Sequence, residues 1–261
     1  MNLHPFYYVT MVGKKKTVML WSQDHKLIVT ADGETKKISK IGIINTERLI
    51  GKKMGSKIKL GNKNYYILEP ALKDAPDYLD RKAQVVLPRI GVQIGLYCDI
   101  FSGKKVVEGG AGSGMLSAVL AKMIGTDGKL TTYETRKDFI KVAKSNLKSL
   151  DIQADWDIVE GDVTKDVKER DVDAFVVDIP DPWNSLDMAD KALKNGGFFA
   201  GYIPSTNQLE KTVKKMREYG YIDIKSFESL ERDIVVKDNG VRPSYDMLGH
   251  TGYVAIARKT P

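Results

Sequence analysis

From residue 101 onward the chain alternates short β-prone runs with segments whose apolar residues recur at helical spacing. KKVVEG is followed by a predicted helix over 113–125, KLTTYE by one over 137–150, and WDIVEGD leads to VDAFVVDIP and a helix over 185–195. GGFFAGYIP and a helix over 206–219 complete the series. Strands separated by helices must lie side by side and parallel, because each helix returns the chain to the same end of the sheet. Two last strands, near 221–236 and 252–258, have no helix between them, so one of them runs antiparallel. The predicted fold class is α/β, a Rossmann-like doubly wound sheet, with ligands bound beyond the carboxyl ends of its strands.

The first 75 residues read differently. TVMLW, KLIVT and YYILE are separated by ADGE, GKKMGSK and GNKN, which predicts a small β domain. Residues 76–100, PDYLDRKAQVVLPRIGVQIGLYCDI, break at Pro88 and resume an apolar pattern, so they read as a linker and helical segment before the α/β domain of 101–261. The formal charge of +7 is unevenly spread: residues 1–75 hold 14 Lys and Arg against 6 Asp and Glu, and the remainder 27 against 28. Such segregation points to a polyanion-binding module in the first third. The single cysteine, Cys98, excludes an internal disulfide framework. Without a signal-like or spanning stretch, a soluble, cytoplasmic protein with no membrane association is expected.

The chemistry-bearing features lie at the predicted strand ends. KVVEGGAGSG, residues 105–114, turns from strand to helix over Gly109, Gly110, Gly112 and Gly114, which lets backbone approach a ligand closely. No Lys-Ser or Lys-Thr follows, which excludes a P-loop, and GxGxG lacks the third glycine of the usual dinucleotide pattern. Glu134 ends the next strand some 20 residues on, where an acid can take both ribose hydroxyls of an adenosine moiety. Asp162 of EGD ends the third strand, placed to accept from an adenine amine. Asp178 of VVDIPDPW ends the fourth and is aimed into the cleft, with Trp183 close enough in sequence to pack on a planar base. Trp21, Tyr7 and Tyr8 could stack on exposed bases, although packing within the small domain is their expected use. His4, His25 and His250 lack ligand partners at metal-binding spacing, so no metal is expected.

EGGAGSG, YETR, EGD, DIPDPW and the late VRPSYDMLGHTGYVAIAR, in this order, resemble the class I S-adenosylmethionine-dependent tRNA (adenine-N1)-methyltransferases of the TrmI family. The resemblance implies that Gly110, Ala111, Gly112, Ser113, Gly114, Met115 and Leu116 surround the methionine part of S-adenosyl-L-methionine. It implies that Glu134 holds the ribose, that Gly161, Asp162 and Val163 frame the adenine, and that Asp178 is the catalytic aspartate beside the donor. Trp183, Arg242 and His250 are then candidate substrate contacts, His250 being read first as a structural hydrogen-bonding residue. The implied reaction is methylation of N1 of adenosine in the tRNA T loop, at position 58 and, as in archaeal relatives, also at 57, by a homotetramer. Two positions depart from the family pattern: Leu87 precedes Pro88 where Tyr or His is common, and Phe139 stands where the residue is often polar. The alternatives are a class I methyltransferase with another acceptor, a non-catalytic tRNA-binding subunit, and a nicotinamide dehydrogenase.

Overall fold

The computed structural model describes residues 10–38, 42–77, 79–80, 85–150 and 152–261; His4, Tyr7 and Tyr8 lie outside them. The chain divides after Leu79 into two compact units.

In the first unit, strands β1 (Thr17–Trp21), β2 (Lys26–Thr30), β3 (Thr35–Ile38), β4 (Gly42–Asn45), β5 (Lys57–Leu60) and β6 (Lys63–Leu68) are all antiparallel. Four of them form a sheet in the order β2-β1-β6-β5, and β3 pairs with β4 in a separate hairpin. Alternation along β5 and β6 shapes the core of this unit: Ile58, Leu60, Tyr65 and Ile67 are buried with Val18, Leu20 and Val29, while Lys57, Lys59 and Tyr66 stay exposed. The sequence reading anticipated β1, β2 and β6 and missed the other three. β5 lies in KIKL, where two lysines dilute the apolar signal to two residues.

The second unit carries α1 (Pro88–Tyr97), β7 (Lys105–Gly109), α2 (Met115–Ile124), β8 (Lys129–Glu134), α3 (Lys137–Ser149) and β9 (Asp155–Glu160). It continues with β10 (Val172–Val177), α4 (Leu186–Ala192), β11 (Leu193–Ile203), α5 (Thr206–Glu218), β12 (Ile222–Glu228), β13 (Ile234–Lys237), β14 (Gly240–Pro243) and β15 (Tyr253–Arg258). Seven strands form one sheet in the order β9-β8-β7-β10-β11-β15-β12. β15 is antiparallel to both neighbours and the pairs from β9 to β11 are parallel. Chain order reverses between β7 and β10, so the two strand ends there diverge into a crevice.

Both faces of the sheet are covered. Val106, Ala174, Val176, Ala200 and Ile256 point to one apolar cluster with α1 and α2 residues such as Ile90, Ile94, Leu116 and Leu120. Val107, Phe175, Val177, Phe199 and Ala257 point to the other, with Leu186, Ala189 and Met216 from α4 and α5. Burial on both sides is what makes the central strands continuous apolar runs. Two predicted boundaries are corrected. The strand expected near 221–236 stops at Glu228, and 234–243 forms the separate hairpin β13–β14, because Asp238, Asn239 and Gly240 turn the chain back on itself. The helix expected over 185–195 ends at Ala192, since Leu193 already pairs with Val172 before the β10–β11 register shifts. Among the described residues no helix is long and apolar enough to cross a membrane.

Candidate active site

An open cavity of about 790 Å³ lies at the carboxyl ends of β7, β8, β9 and β10, a size suited to a nucleoside-like ligand. Its walls include Gly110, Gly112, Glu134, Gly161, Asp162, Val163 and Asp178. The glycines are needed for distinct reasons. A methyl group added at Gly110 would sit 2.2 Å from the carbonyl oxygen of Asp178, so backbone packs on backbone between the ends of β7 and β10. At Gly114 it would strike Leu147 and Ala143 of α3. At Gly112 it would meet nothing, but φ is +51°, in the left-handed region that L side chains resist. The turn is therefore held tightly at its ends and leaves its middle open to the cavity.

Glu134 is buried at the end of β8. Its carboxylate accepts hydrogen bonds from Gly112 N (3.2 Å) and Arg136 N (3.0 Å), which clasps the glycine turn to the neighbouring strand end. Asp162 accepts from Thr164 N and Thr164 Oγ1 and pairs with Lys165 Nζ at 2.8 Å. Burial would raise its carboxyl, yet the Lys165 and Thr164 contacts hold it below the usual range. Asp178 follows β10, with its N–H on Gly109 O at 2.8 Å. Its side chain keeps some contact with solvent through the cavity. Desolvation by the surrounding protein, and then the charge of Glu134, push its carboxyl up to about 7.

Glu108, to which the sequence assigns no role, lies beneath this site. It is fully buried, and one oxygen accepts from Ser117 Oγ and Thr132 Oγ1, each at 2.6 Å. Its other oxygen, Oε1, has no hydrogen-bond partner among the described residues. Burial above all, reinforced by the charges of Asp178 and Glu134 and opposed by the two hydroxyls, leaves its carboxyl raised to about 7. Three carboxylates thus crowd the ends of β7, β8 and β10, an electrostatic arrangement that favours a cationic ligand. The sequence signal was available: an acid directly ahead of the glycines, inside an otherwise apolar strand.

Other expected contacts fall elsewhere. Ala111, Ser113, Met115 and Leu116 are buried, and none of them nor Gly114 lines the cavity; Leu116, in the first turn of α2, packs in the apolar cluster with α1. Ser113 contributes its carbonyl to Asn146 Nδ2 at 2.8 Å, and the same amide nitrogen also donates to Asp80 O. Trp183 is half-buried with Lys211 Nζ 3.9 Å from its ring centroid and does not line the cavity. Arg242 sits on the exposed hairpin, stacked 4.1 Å from the Tyr245 ring. His250 bridges strand ends, with Nδ1 2.5 Å from Glu228 Oε1 and Nε2 3.0 Å from Pro204 O. Two acceptors on two ring nitrogens suit the imidazolium, and the Glu228 and Pro204 contacts raise the pKa of His250.

Residues that sequence reasoning passed over complete the walls. Tyr133, Thr135, Arg136, Thr164 and Lys165 lie on the β8 and β9 side, and Ile179, Pro180, Asp181 and Asn184 follow Asp178. Phe139, one of the two departures, supports Arg136, whose guanidinium lies 3.4 Å from its ring centroid. Tyr202, on β11, donates its hydroxyl proton to Thr251 O, and a side chain at Gly252 would collide with its ring. Burial, with the charge of Asp178 adding to it, raises the Tyr202 hydroxyl above its ordinary range against the influence of the Thr251 contact and Arg89. Leu87, the other departure, caps α1 without a side-chain hydrogen bond and packs on the apolar cluster.

Residues 64–242 match the protein family described as GCD14, tRNA methyltransferase complex GCD14 subunit. The chain belongs to this family. Among its relatives, the tRNA (adenine(57)-N(1)/adenine(58)-N(1))-methyltransferase TrmI of Methanocaldococcus jannaschii is 38% identical over 224 residues, covering 76% of this chain and 79% of that protein. TrmI of Thermus thermophilus, a tRNA (adenine(58)-N(1))-methyltransferase, is 25% identical over 196 residues, covering 73% and 75%. A solved structure described as a SAM-dependent O-methyltransferase from Thermotoga maritima superposes with a TM-score of 0.91 at 33% identity, covering 100% of this chain and 98% of that one. TrmI from Aquifex aeolicus, a tRNA (m1A58) methyltransferase, gives 0.83 at 25% identity, covering 97% and 100%. The chain therefore carries the class I methyltransferase sheet with a small β region ahead of it.

Proposed function

We propose that this protein is an enzyme that transfers a methyl group from S-adenosyl-L-methionine to N1 of adenosine in the T loop of tRNA, at position 58 and also at 57. The observation that carries this reading is the convergence of Asp178, Glu134 and Asp162 on one cavity that the glycine turn leaves open. The residues suit this donor: the walls admit close backbone approach at Gly112, and Asp178 and Glu134, with Glu108 buried beneath them, favour a ligand bearing a sulfonium and an ammonium. Gly110 and Gly112 would face its methionine part, Glu134 its ribose hydroxyls, and Gly161, Asp162 and Val163 its adenine. When bound, S-adenosylmethionine supplies an electrophilic methyl group.

Asp178 does the chain's own chemical work. Its carboxylate accepts a hydrogen bond from the exocyclic N6 amine of the target adenosine, which places N1 and raises electron density there. Because its carboxyl is raised to about 7, it also suits taking the amine proton as positive charge develops on the ring. Pro180 and Asp181 then border the side from which a base enters, and an adenosine must leave its stack to reach it. The basic first unit holds the RNA backbone.

We further infer a homotetramer working in the cytoplasm. In support, Ile234, Val236, Val241 and Pro243 share one exposed apolar face of the β13–β14 hairpin, which a lone two-stranded ribbon would not keep stably folded. Sedimentation of the purified protein tests it, and a monomer at micromolar concentration would refute it. The description of the Thermotoga neighbour keeps a hydroxyl acceptor as the second reading. Incubation with unmodified tRNA transcript and methyl-labelled donor separates the two: label on N1 of A58 and A57 supports the proposal, and label on a free metabolite, with none on RNA, favours the alternative.

A further inference from the structure

Trp21, expected to pack inside the small domain, is instead 41% exposed. It sits in one register row across the four-stranded sheet of the first unit. Lys26 of β2 pairs with Trp21, Trp21 with Tyr66 of β6, and Tyr66 with Lys57 of β5. Directly paired residues share a face, so four side chains stand in line on the side of the sheet opposite Leu20, Ile58, Tyr65 and Ile67. The Trp21 and Tyr66 ring centroids are 6.2 Å apart, Lys57 Nζ lies 5.0 Å from the Tyr66 centroid, and Tyr66 is 36% exposed. Lys26 is occupied by Asp74 and Asp77, at 3.0 and 2.5 Å. Lys57 and its same-face neighbour Lys59 form no ion pair among the described residues.

We propose that Trp21 and Tyr66, flanked by Lys57 and Lys59, form a stacking platform for unpaired nucleotides of the RNA substrate. Two neighbouring aromatic side chains exposed on a sheet, with uncompensated lysines along one side, provide what single-stranded RNA requires: π-faces for bases and cations for the phosphates between them. Charge complementarity selects RNA over a protein partner, since this third of the chain holds 14 Lys and Arg against 6 Asp and Glu. The platform rests on the reading of the enzyme as an RNA methyltransferase and adds to it a second contact, outside the Asp178 cavity, that recognises looped rather than helical RNA.

The test uses the full-length protein, unmodified tRNA transcript and, as a second probe, a fully base-paired RNA of similar length. Trp21→Ala with Tyr66→Ala should weaken tRNA binding and raise KM by about tenfold or more while leaving kcat and donor affinity unchanged. Trp21→Phe with Tyr66→Phe should restore most of the affinity, because a ring persists, and loss of folding would spare neither variant. Duplex RNA should bind the alanine variant and the wild type alike. Equal tRNA affinity in the alanine variant and the wild type would overturn the platform, as would a change in oligomeric state with RNA affinity intact. Failure of the underlying reading is separate: wild-type protein would then transfer no methyl group to tRNA at all.

Discussion

The two units of the chain handle charge in opposite ways. The α/β unit, with nearly balanced charge, gathers Glu108, Glu134 and Asp178 at the ends of adjoining strands, burying the first two and leaving Asp178 half-buried at the cavity, and Glu108 and Asp178 are both raised to about 7. The β unit carries the excess of positive charge and displays Lys57 and Lys59 beside two exposed rings. The difference follows from the tasks. A carboxylate that must respond to a small change in a bound base works best when desolvated and poised near neutral pH. Cations that hold a polyanion work best when solvated, because their gain comes from releasing counterions rather than from a fixed geometry.

The comparison can be broken most severely at the glycine turn. Gly110→Ala should abolish donor binding, since its methyl group would displace the Asp178 backbone. Gly112→Ala meets no neighbour and should remain folded, at a cost of about 1–2 kcal/mol for its left-handed backbone. Calorimetric donor titration with thermal melting of both variants separates steric from conformational effects; equal behaviour would mean that the two positions do not differ as described.

A second prediction sharpens the buried side. Asp178 must be ionised to accept from an amine, and its raised carboxyl stays protonated in acid. The kcat/KM should therefore fall by about tenfold per pH unit below about 7 and level off above it. The limb belongs to the acidic cluster rather than to one residue, because Glu108 is raised to the same region. A flat profile from pH 5 to 8 would contradict it.

On the exposed side the expected effect is smaller. Lys57→Gln with Lys59→Gln should reduce the slope of log affinity for tRNA against log salt by roughly one per lysine, leaving kcat unchanged. An unaltered slope would remove these lysines from the RNA contact. Smallest of all is His250→Gln. The raised pKa of His250 means that its tie between Glu228 and Pro204 is complete below pH 6.5 and is lost as pH rises through the raised value. The variant should thus melt slightly below the wild type at pH 6 and together with it at pH 9; a difference confined to pH 9 would reverse the assignment.

Much of the α/β unit was legible because its signals are local. Strand, glycine turn and helix follow one another within ten to fifteen residues, and Glu134, Asp162 and Asp178 each end a strand whose apolar run announces it. Glu108 was hidden because its importance comes from Ser117 and Thr132, which only the folded sheet brings to it. Met115 and Leu116 follow the glycines in sequence, but helical rotation sends their side chains into the packing. Trp21 shows the converse. Its neighbours Val18, Met19 and Leu20 are buried, and only pairing with Tyr66 across the sheet shows that the strand's last residue faces outward.

The central claim is that Asp178 acts on the acceptor base and is not merely a wall of the donor cavity. Single-turnover methyl transfer to tRNA by Asp178→Asn, measured with donor saturating and its binding checked separately, tests this most directly. The account predicts that donor still binds and that transfer slows by about a hundredfold or more. Transfer at near the wild-type rate with donor bound would contradict it.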